Sequence, residues 1–440
     1  MSNEQKTVET LHEEWHTMPE EERMSVFKKL NQADAEEFIL ELHIRDVTDI
    51  IMALPVKERR IWMRFLPPDD VTDIIQEVEP EHKRELLDLI DEPTRKEVNA
   101  LLAYREDSAG GLMDPRYARL RPEMTVDEAV TYFRNQLQAN SNSFATINYS
   151  YVLDDQQHLL GVLSLKTLFS SPGHKKVSEI MRTEVITVKE YQDQESLSYL
   201  TALHNLTVIP VVDDENHMKG IVTNEDIIDV FREEATEDIH KMGGLEALDE
   251  PYVGMPFANM YTKRARWLSL LFIGELFTST AMAIFETEIS KAVVLALFVP
   301  LIISSGGNSG SQASTLIIRA MSLREITLKN WFYVARKEIL MGLTLGVLLG
   351  CIGFTRIVLW EFLFHIYGGH YLLLAVAIFC SLIGVVAWGT LTGSMLPFIL
   401  RKIGLDPAIS SAPLVATIVD VSGLIIYFTT AKFFLTGTLL

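Results

Sequence analysis

From Trp267 to the C-terminus the chain is dominated by five apolar stretches, roughly 267–285, 292–318, 334–360, 371–400 and 408–435. Each is long enough to cross a bilayer, for which about 20 residues suffice. Five such segments in succession predict a bundle of transmembrane helices. Charge divides the chain at the same place: the 266 residues before Trp267 carry 51 of the 59 Asp and Glu and 29 of the 39 Lys and Arg, a net of −22, and the remainder is nearly neutral. A wholly soluble enzyme is excluded, and so acidic a surface repels nucleic acid. Cations are the expected partners.

An odd number of spans puts the two ends on opposite sides, and basic residues decide the orientation. Lys263, Arg264 and Arg266 precede the first span, Arg319, Arg324, Lys329, Arg336 and Lys337 lie between the second and third, and Arg401 and Lys402 lie between the fourth and fifth. These loops, and with them the acidic N-terminal half, are predicted to be cytoplasmic, leaving the C-terminus outside. The polar opening MSNEQKTVETLHEEWH, without the basic start and apolar core of a signal peptide, agrees. Cys351 and Cys380 lie in apolar stretches away from any metal-binding spacing and read as packing residues.

Two spans are unlike plain hydrophobic anchors. In the second, Pro300 precedes SSGGNSGSQAST (304–315), which is expected to loosen the helix, and irregular backbone at membrane depth requires burial in protein or a wet cavity. The amides of Asn308 and Gln312, four residues apart, point to a polar pathway; GxxxG packing through Gly306 and Gly310 is the alternative. The fifth span holds Asp420, twelve residues in from Ala408 and so near mid-membrane. A carboxylate there costs roughly 2.5–3.5 kcal/mol on insertion scales and needs a partner or a purpose. Asp406 lies 14 residues earlier, and 14 helical steps return to within about 40° of the same face. Thr417 and Gly423 flank Asp420 at three residues on either side and keep that face small and polar. An acidic stripe in a passage is expected, with a structural Asp hydrogen-bonded to Thr or Asn as the alternative. Glu275, in the first span, fits a functional and a structural reading equally.

The cytoplasmic half contains two repeats. Residues 18–103 recur with a period of 12 to 13, as in LPVKERRIWMRF, LPPDDVTDIIQE and VEPEHKRELLDLI. Each unit places Pro at a helix start, acids in the first turn and apolar residues at i, i+3, i+4, which predicts paired short helices stacked into a superhelix. Asp69 and Asp73 fall one turn apart on one ridge. Then MDPRYARLRPEMTVDEAVTYFR resembles MRTEVITVKEYQDQESLSYLT, and SYVLDDQQHLLGVLSLKTLF resembles PVVDDENHMKGIVTNEDIID. Each copy reads strand, helix, strand, Asp-Asp turn, strand, helix, and is similar to a tandem pair of CBS domains, a regulatory module that binds adenine nucleotides or metal. The resemblance leaves ATP at the pair open. The segment 234–262, with Glu234, Glu237, Asp238, Glu246, Asp249 and Glu250, is expected to be an acidic connecting helix. His12-Glu13-Glu14-Trp15-His16 fits the zinc-protease pattern HExxH, but no third ligand accompanies it and it lies outside any span. Without a P-loop or nucleophile elbow, neither an enzyme nor an ATP-driven pump is expected.

The order of parts gives a multidomain membrane protein: an N-terminal acidic α-helical superhelix (1–111), a tandem α/β CBS pair (112–233), an acidic connecting helix (234–262) and a five-helix transmembrane domain (263–440). This order, with YREDSAGGLM at 104–113, EATEDIHKMGG at 234–244, VPLIISSGGNSGSQASTLIIRA at 299–320 and GLDPAISSAPLVATIVDVSGLIIY at 404–427, resembles the MgtE family of bacterial magnesium channels over essentially the whole chain. The resemblance implies a homodimer in the inner membrane whose second and fifth spans line a pore. Asp420 is then the ion-binding aspartate, Asp406 lies nearer the cytoplasmic opening, and Asn308 and Thr417 complete the lining. It also implies closure by intracellular Mg²⁺, with Asp69, Asp73, Asp226, Glu246, Asp249 and Glu250 as candidate regulatory ligands. Glu275 is outside the carried-over pattern. A CBS-regulated transporter of another divalent cation, or of a proton-coupled solute, is the competing expectation.

Overall fold

The structure is a computed structural model of the chain and describes residues 8–15, 18–139, 144–248, 252 and 255–438. It divides into two compact units, Met1–Glu234 and Ala235–Leu440.

The first unit begins with α1 (Val8–Trp15), α2 (Glu20–Phe27), α3 (Gln32–Glu41), α4 (Ile44–Ala53), α5 (Val56–Phe65), α6 (Pro68–Glu77), α7 (Pro80–Leu87) and α8 (Glu92–Leu101). The repeat period thus corresponds to one helix and its turn. Prolines sit where a helix needs no N–H: Pro55 and Pro67 immediately precede α5 and α6, and Pro80 opens α7. The apolar positions converge on one core that includes Phe38, Ile51, Met63, Val71, Ile74 and Val98. Trp15 closes it, its indole N–H donating to Asp46 at 3.0 Å.

The CBS pair follows as β1 (Ala118–Leu120), α9 (Val126–Ala139), β2 (Tyr149–Leu153), β3 (Leu159–Ser164), α10 (Leu165–Ser170) and α11 (Val177–Ile180), then β4 (Val188–Lys189), α12 (Gln194–His204), β5 (Val208–Val212), β6 (Met218–Thr223) and α13 (Asn224–Met242). Both repeats build the same three-stranded sheet, parallel in the first pair and antiparallel in the second. They exchange a pairing as well. Arg182, ahead of β4, bonds to Val162 of β3, and Asp114, ahead of β1, bonds to Ile221 of β6. Gly220 is required by this approach: a Cβ there would lie 2.8 Å from the Asp114 carbonyl oxygen. Where the two Asp-Asp turns meet, the His158 and His217 rings stack at 4.4 Å, and each is hydrogen-bonded to the Asp of its own turn.

The second unit holds α14 (Phe257–Ile284), α15 (Glu286–Lys291), α16 (Val299–Ser322), α17 (Trp331–Phe364), α18 (Tyr371–Lys402) and α19 (Ala412–Leu435). All of these except α15 are long and apolar enough to cross a membrane, in line with the five spans read from sequence. Three expectations are corrected. The 304–315 stretch does not loosen its helix: α16 is continuous, and Pro300 falls in its first turn, where it is tolerated. The fifth span does not continue one helix from Asp406, because a 3₁₀ turn (Pro407–Ile409) and two further residues intervene before α19, so the 14-step face argument does not apply. The connector is not one helix either. α13 starts inside the second CBS repeat and ends at Met242, followed by a Gly243–Gly244 turn.

Glycine explains the packing of α16. Gly306 and Gly310 lie against Gly389 and Gly393 of α18; a Cβ on Gly393 would collide with the Gly310 carbonyl oxygen, and one on Gly310 would lie 2.8 Å from that of Gly389. The alternative read for these glycines, small-residue helix packing, is therefore what they do. The hydroxyls have a separate task. Ser314 donates to the Ser410 carbonyl at 2.6 Å, satisfying backbone that the break before α19 leaves outside the helix, and Ser311 donates to the Ala412 carbonyl in the first turn of α19 at 3.2 Å.

Candidate functional site

Two groups of acidic side chains stand out, one in each unit.

In the second unit Asp420 lies eight steps into α19, about 12 Å from its start. It faces α16 where that helix has no side chain: a Cβ on Gly307 would lie 3.7 Å from Asp420 Oδ1. From α14 the Glu275 carboxyl comes within hydrogen-bonding reach of the Asp420 carboxyl. Two facing carboxyl groups are oxygen ligands of the kind a hard cation takes. Beside them, Ser304, Asn308 and Gln312 form an exposed polar stripe along α16, in which Asn308 donates to Ser304 at 3.3 Å. Lipid offers amides no partners, so this stripe requires water or protein. Thr417 is placed differently. Its hydroxyl donates to the Pro413 carbonyl at 3.0 Å, and its methyl packs against Gly274 of α14.

Asp406 caps the 3₁₀ turn through Ala408 N at 2.8 Å and receives Lys241 Nζ at 2.6 Å. Lys241 also pairs with Glu237, and the neighbouring Asp238 accepts a hydrogen bond from Ser322 at 3.1 Å. Burial and the nearby Asp406 charge hold Asp238 above the usual carboxylate range. The acids of the connector that approach Asp406 are thus Glu237 and Asp238. Glu246 pairs instead with Arg266 at 3.4 Å, and Asp249 and Glu250 lie outside the described residues.

In the first unit α6 presents Asp69, Asp70 and Asp73 to Asp226 at the start of α13 and to Asp114, which the exchanged strand pairing brings beside it. Burial, then the charges of Asp226 and Asp114, push Asp70 up to about 7. Burial lifts Asp114 to about 7 although Arg116 opposes it. Asp69 and Asp73 stand well above the usual range, first from burial and then from nearby acids, Asp114 foremost for Asp69 and Asp70 for Asp73. Burial raises Asp226 too, against two hydrogen bonds from Thr223. Asp69 Oδ1 is buried and has no hydrogen-bond donor among the described residues. Five carboxylates gathered about an orphaned oxygen draw a hard divalent cation, which takes oxygen ligands and keeps part of its water; among the described residues the group whose ligand atoms all lie within 4.8 Å of one another is a different one, Asp213, Glu215 and His217. Asp69, Asp73 and Asp226 were legible as candidates; Asp114 was not, because only the exchanged pairing reveals it. Of the HExxH residues, His12 pairs with Glu41 at 3.0 Å and packs at a tilt against the Phe38 ring, while His16 lies outside the described residues.

Comparisons with known proteins agree with this layout. Residues 299–430 match the MgtE divalent cation transporter model, residues 7–107 the MgtE intracellular N domain and residues 177–233 the CBS domain. The magnesium transporter MgtE of Thermus thermophilus is 38% identical over 96% of this chain and 91% of its own length. That of Bacillus subtilis is 31% identical over 91% of this chain and 94% of its own. Among solved structures, the cytosolic domain of the Mg²⁺ channel MgtE in complex with ATP matches 51% of this chain and 90% of its own, at 36% identity and a TM-score of 0.47. With close relatives matched nearly end to end and five apolar helices in place, the chain is a membrane protein and belongs to the MgtE family of divalent cation transporters.

Proposed function

We propose that the chain carries Mg²⁺ across the inner membrane of a bacterium and is shut by Mg²⁺ bound to its cytoplasmic acids. The observation that carries the first part is the Asp420 carboxyl beside the exposed Ser304, Asn308 and Gln312 stripe of α16. A second copy meeting the first along this stripe encloses it in a wet passage, where two Asp420 carboxylates hold a cation through its water shell. The names of the relatives, magnesium transporters at 38% and 31% identity, select Mg²⁺ as the cargo. The basic loops support a cytoplasmic N-terminus.

The regulatory part rests on the five-acid cluster. Without cation these carboxylates repel one another; a divalent ion draws α6 to α13 and the Asp114 segment. One helix, α13, carries Asp226 near one end and Lys241, the partner of Asp406, near the other. ATP is the nucleotide proposed for the CBS pair, because the solved cytosolic relative contains it. Arg119, Arg121 and Tyr132 line a cavity of about 370 Å³ in the first repeat, where an anion has two guanidinium groups to meet.

The test is Mg²⁺ flux into proteoliposomes containing a Mg²⁺-sensitive dye, with wild type and Asp420→Ala compared. Wild-type flux that disappears in the variant supports the reading. Absence of flux in the wild type with the cytoplasmic face free of Mg²⁺ overturns it, and competition by Co²⁺ or Ca²⁺ reports the cargo.

A further inference from the structure

Where α14 enters its apolar stretch, the second unit holds an open cavity of about 640 Å³, which Glu237 lines and Asp420 and Glu275 do not. Lys263, Arg266, Trp267 and Leu270 of α14 form one wall, and Lys241 and Ile409 another. Three cations thus meet two acids, Glu237 and Glu246. Lys241 is held by Glu237 and Asp406, and Lys263 donates to the Ala247 carbonyl. Among the described residues Arg266 makes an exposed pairing with Glu246 at 3.4 Å, which an anion displaces at little cost. The Trp267 indole N–H is buried and meets no acceptor among the described residues. Below them, on the face of α14 that carries Arg266, Leu270, Ile273 and Phe277 are 53%, 56% and 62% exposed.

A guanidinium and an unmet indole donor above an apolar stripe, at the depth where interfacial Trp and basic residues anchor membrane helices, complement a phosphodiester above an acyl chain. We propose that this cavity binds the headgroup of an anionic phospholipid from the leaflet in which α14 begins. Arg266 and Lys263 meet the phosphate, Trp267 donates to a phosphate or ester oxygen, and a chain lies along Leu270, Ile273 and Phe277. A free phosphate has no use for the stripe, which is why the lipid is the fitting occupant.

Native mass spectrometry of the purified full-length protein, titrated with phosphatidylglycerol or phosphatidylcholine, tests this. Phosphatidylglycerol is expected to bind in preference, and the double variant Lys263→Gln, Arg266→Gln to weaken it about tenfold or more. Lys329→Gln with Arg336→Gln, basic residues that do not line the cavity, is expected to leave it unchanged. Trp267→Phe keeps the ring, removes only the donor and is expected to weaken binding severalfold, so it decides the matter if the double variant fails to fold. Equal binding of phosphatidylcholine, or no effect of either cavity variant, overturns the proposal. So does displacement by glycerol phosphate at the lipid's own concentration, which marks a plain phosphate site, or a change of oligomer mass in the cavity variants, which marks a contact between copies. Because lipid is read without ion flux, the outcome is independent of the transport proposal.

Discussion

Asp70 and Asp114 are pushed up to about 7, whereas an aspartate in an unfolded chain titrates near 4. The folded first unit therefore binds more protons than the unfolded chain between those values. This stabilisation is complete below about pH 4 and is lost as pH rises through about 7. In chelator, a fragment of residues 1–234 is accordingly expected to melt several degrees lower at pH 8 than at pH 5.5, and saturating Mg²⁺ to remove most of the difference by replacing the protons. Asp70→Asn flattens the pH dependence and weakens the Mg²⁺ response; a melting temperature indifferent to both pH and Mg²⁺ counts against a cation site. At the Asp420 position the informative change is Glu275→Gln. It leaves one carboxyl where two face each other, and is expected to retain flux while raising the half-saturating Mg²⁺ concentration severalfold, whereas Asp420→Asn abolishes flux. Sequence gave the types of these residues but not their neighbours. Asp420 was conspicuous because a carboxylate is costly in a bilayer, but Glu275 remained ambiguous until the packing of α14 on α19, through Gly274 against Thr417, set the two acids face to face.

The spans and the short helices were legible as elements because apolar length and proline-marked periodicity are local properties. The interior use of the polar stretch in α16 was not. A run of Gly, Ser and Asn lowers intrinsic helix propensity, and the expectation of a loosened helix followed from that alone. What holds α16 continuous is tertiary: its glycine face meets Gly389 and Gly393, and its Ser314 and Ser311 hydroxyls tie it to Ser410 and Ala412 at the start of α19. α17 uses the same device, its buried Gly342, Gly346 and Gly350 lying against the backbone or side chains of α18 at Thr390, Ala387, Ile383 and Phe379. That four-residue glycine spacing is a local feature of the sequence, but the partner it meets is not. Gly393→Val is predicted to force α16 and α18 apart and to lower the melting temperature or yield of detergent-purified protein sharply. Gly369→Ala, where nothing lies within 4 Å, serves as the comparison and is predicted to be neutral. Equal behaviour of the two proteins argues against close backbone packing as the support of the passage.

At the scale of the chain, the regulation proposed for the acidic half, which carries a net −22 before Trp267, is a question of arithmetic. An ion shifts a balance between open and closed forms only through its preference for one of them, and moving that balance from 1:99 to 99:1 takes about a 10⁴-fold preference. A single Mg²⁺ held largely through water discriminates far less, so closure needs several ions acting together. The five carboxylates around Asp69 offer one locus, and Glu237 and Asp238 beside Asp406 another. Flux measured against Mg²⁺ on the cytoplasmic face of proteoliposomes is therefore predicted to fall with a Hill coefficient above one. Asp70→Asn removes part of one locus: its midpoint moves severalfold to higher Mg²⁺, and closure remains possible. Asp70→Asn combined with Asp226→Asn empties that locus and leaves flux that high Mg²⁺ no longer stops, while conduction in the absence of cytoplasmic Mg²⁺ stays at the wild-type level. Closure along a simple hyperbola, unmoved by the double substitution, places the sensor away from these acids and leaves Asp420 to explain conduction alone.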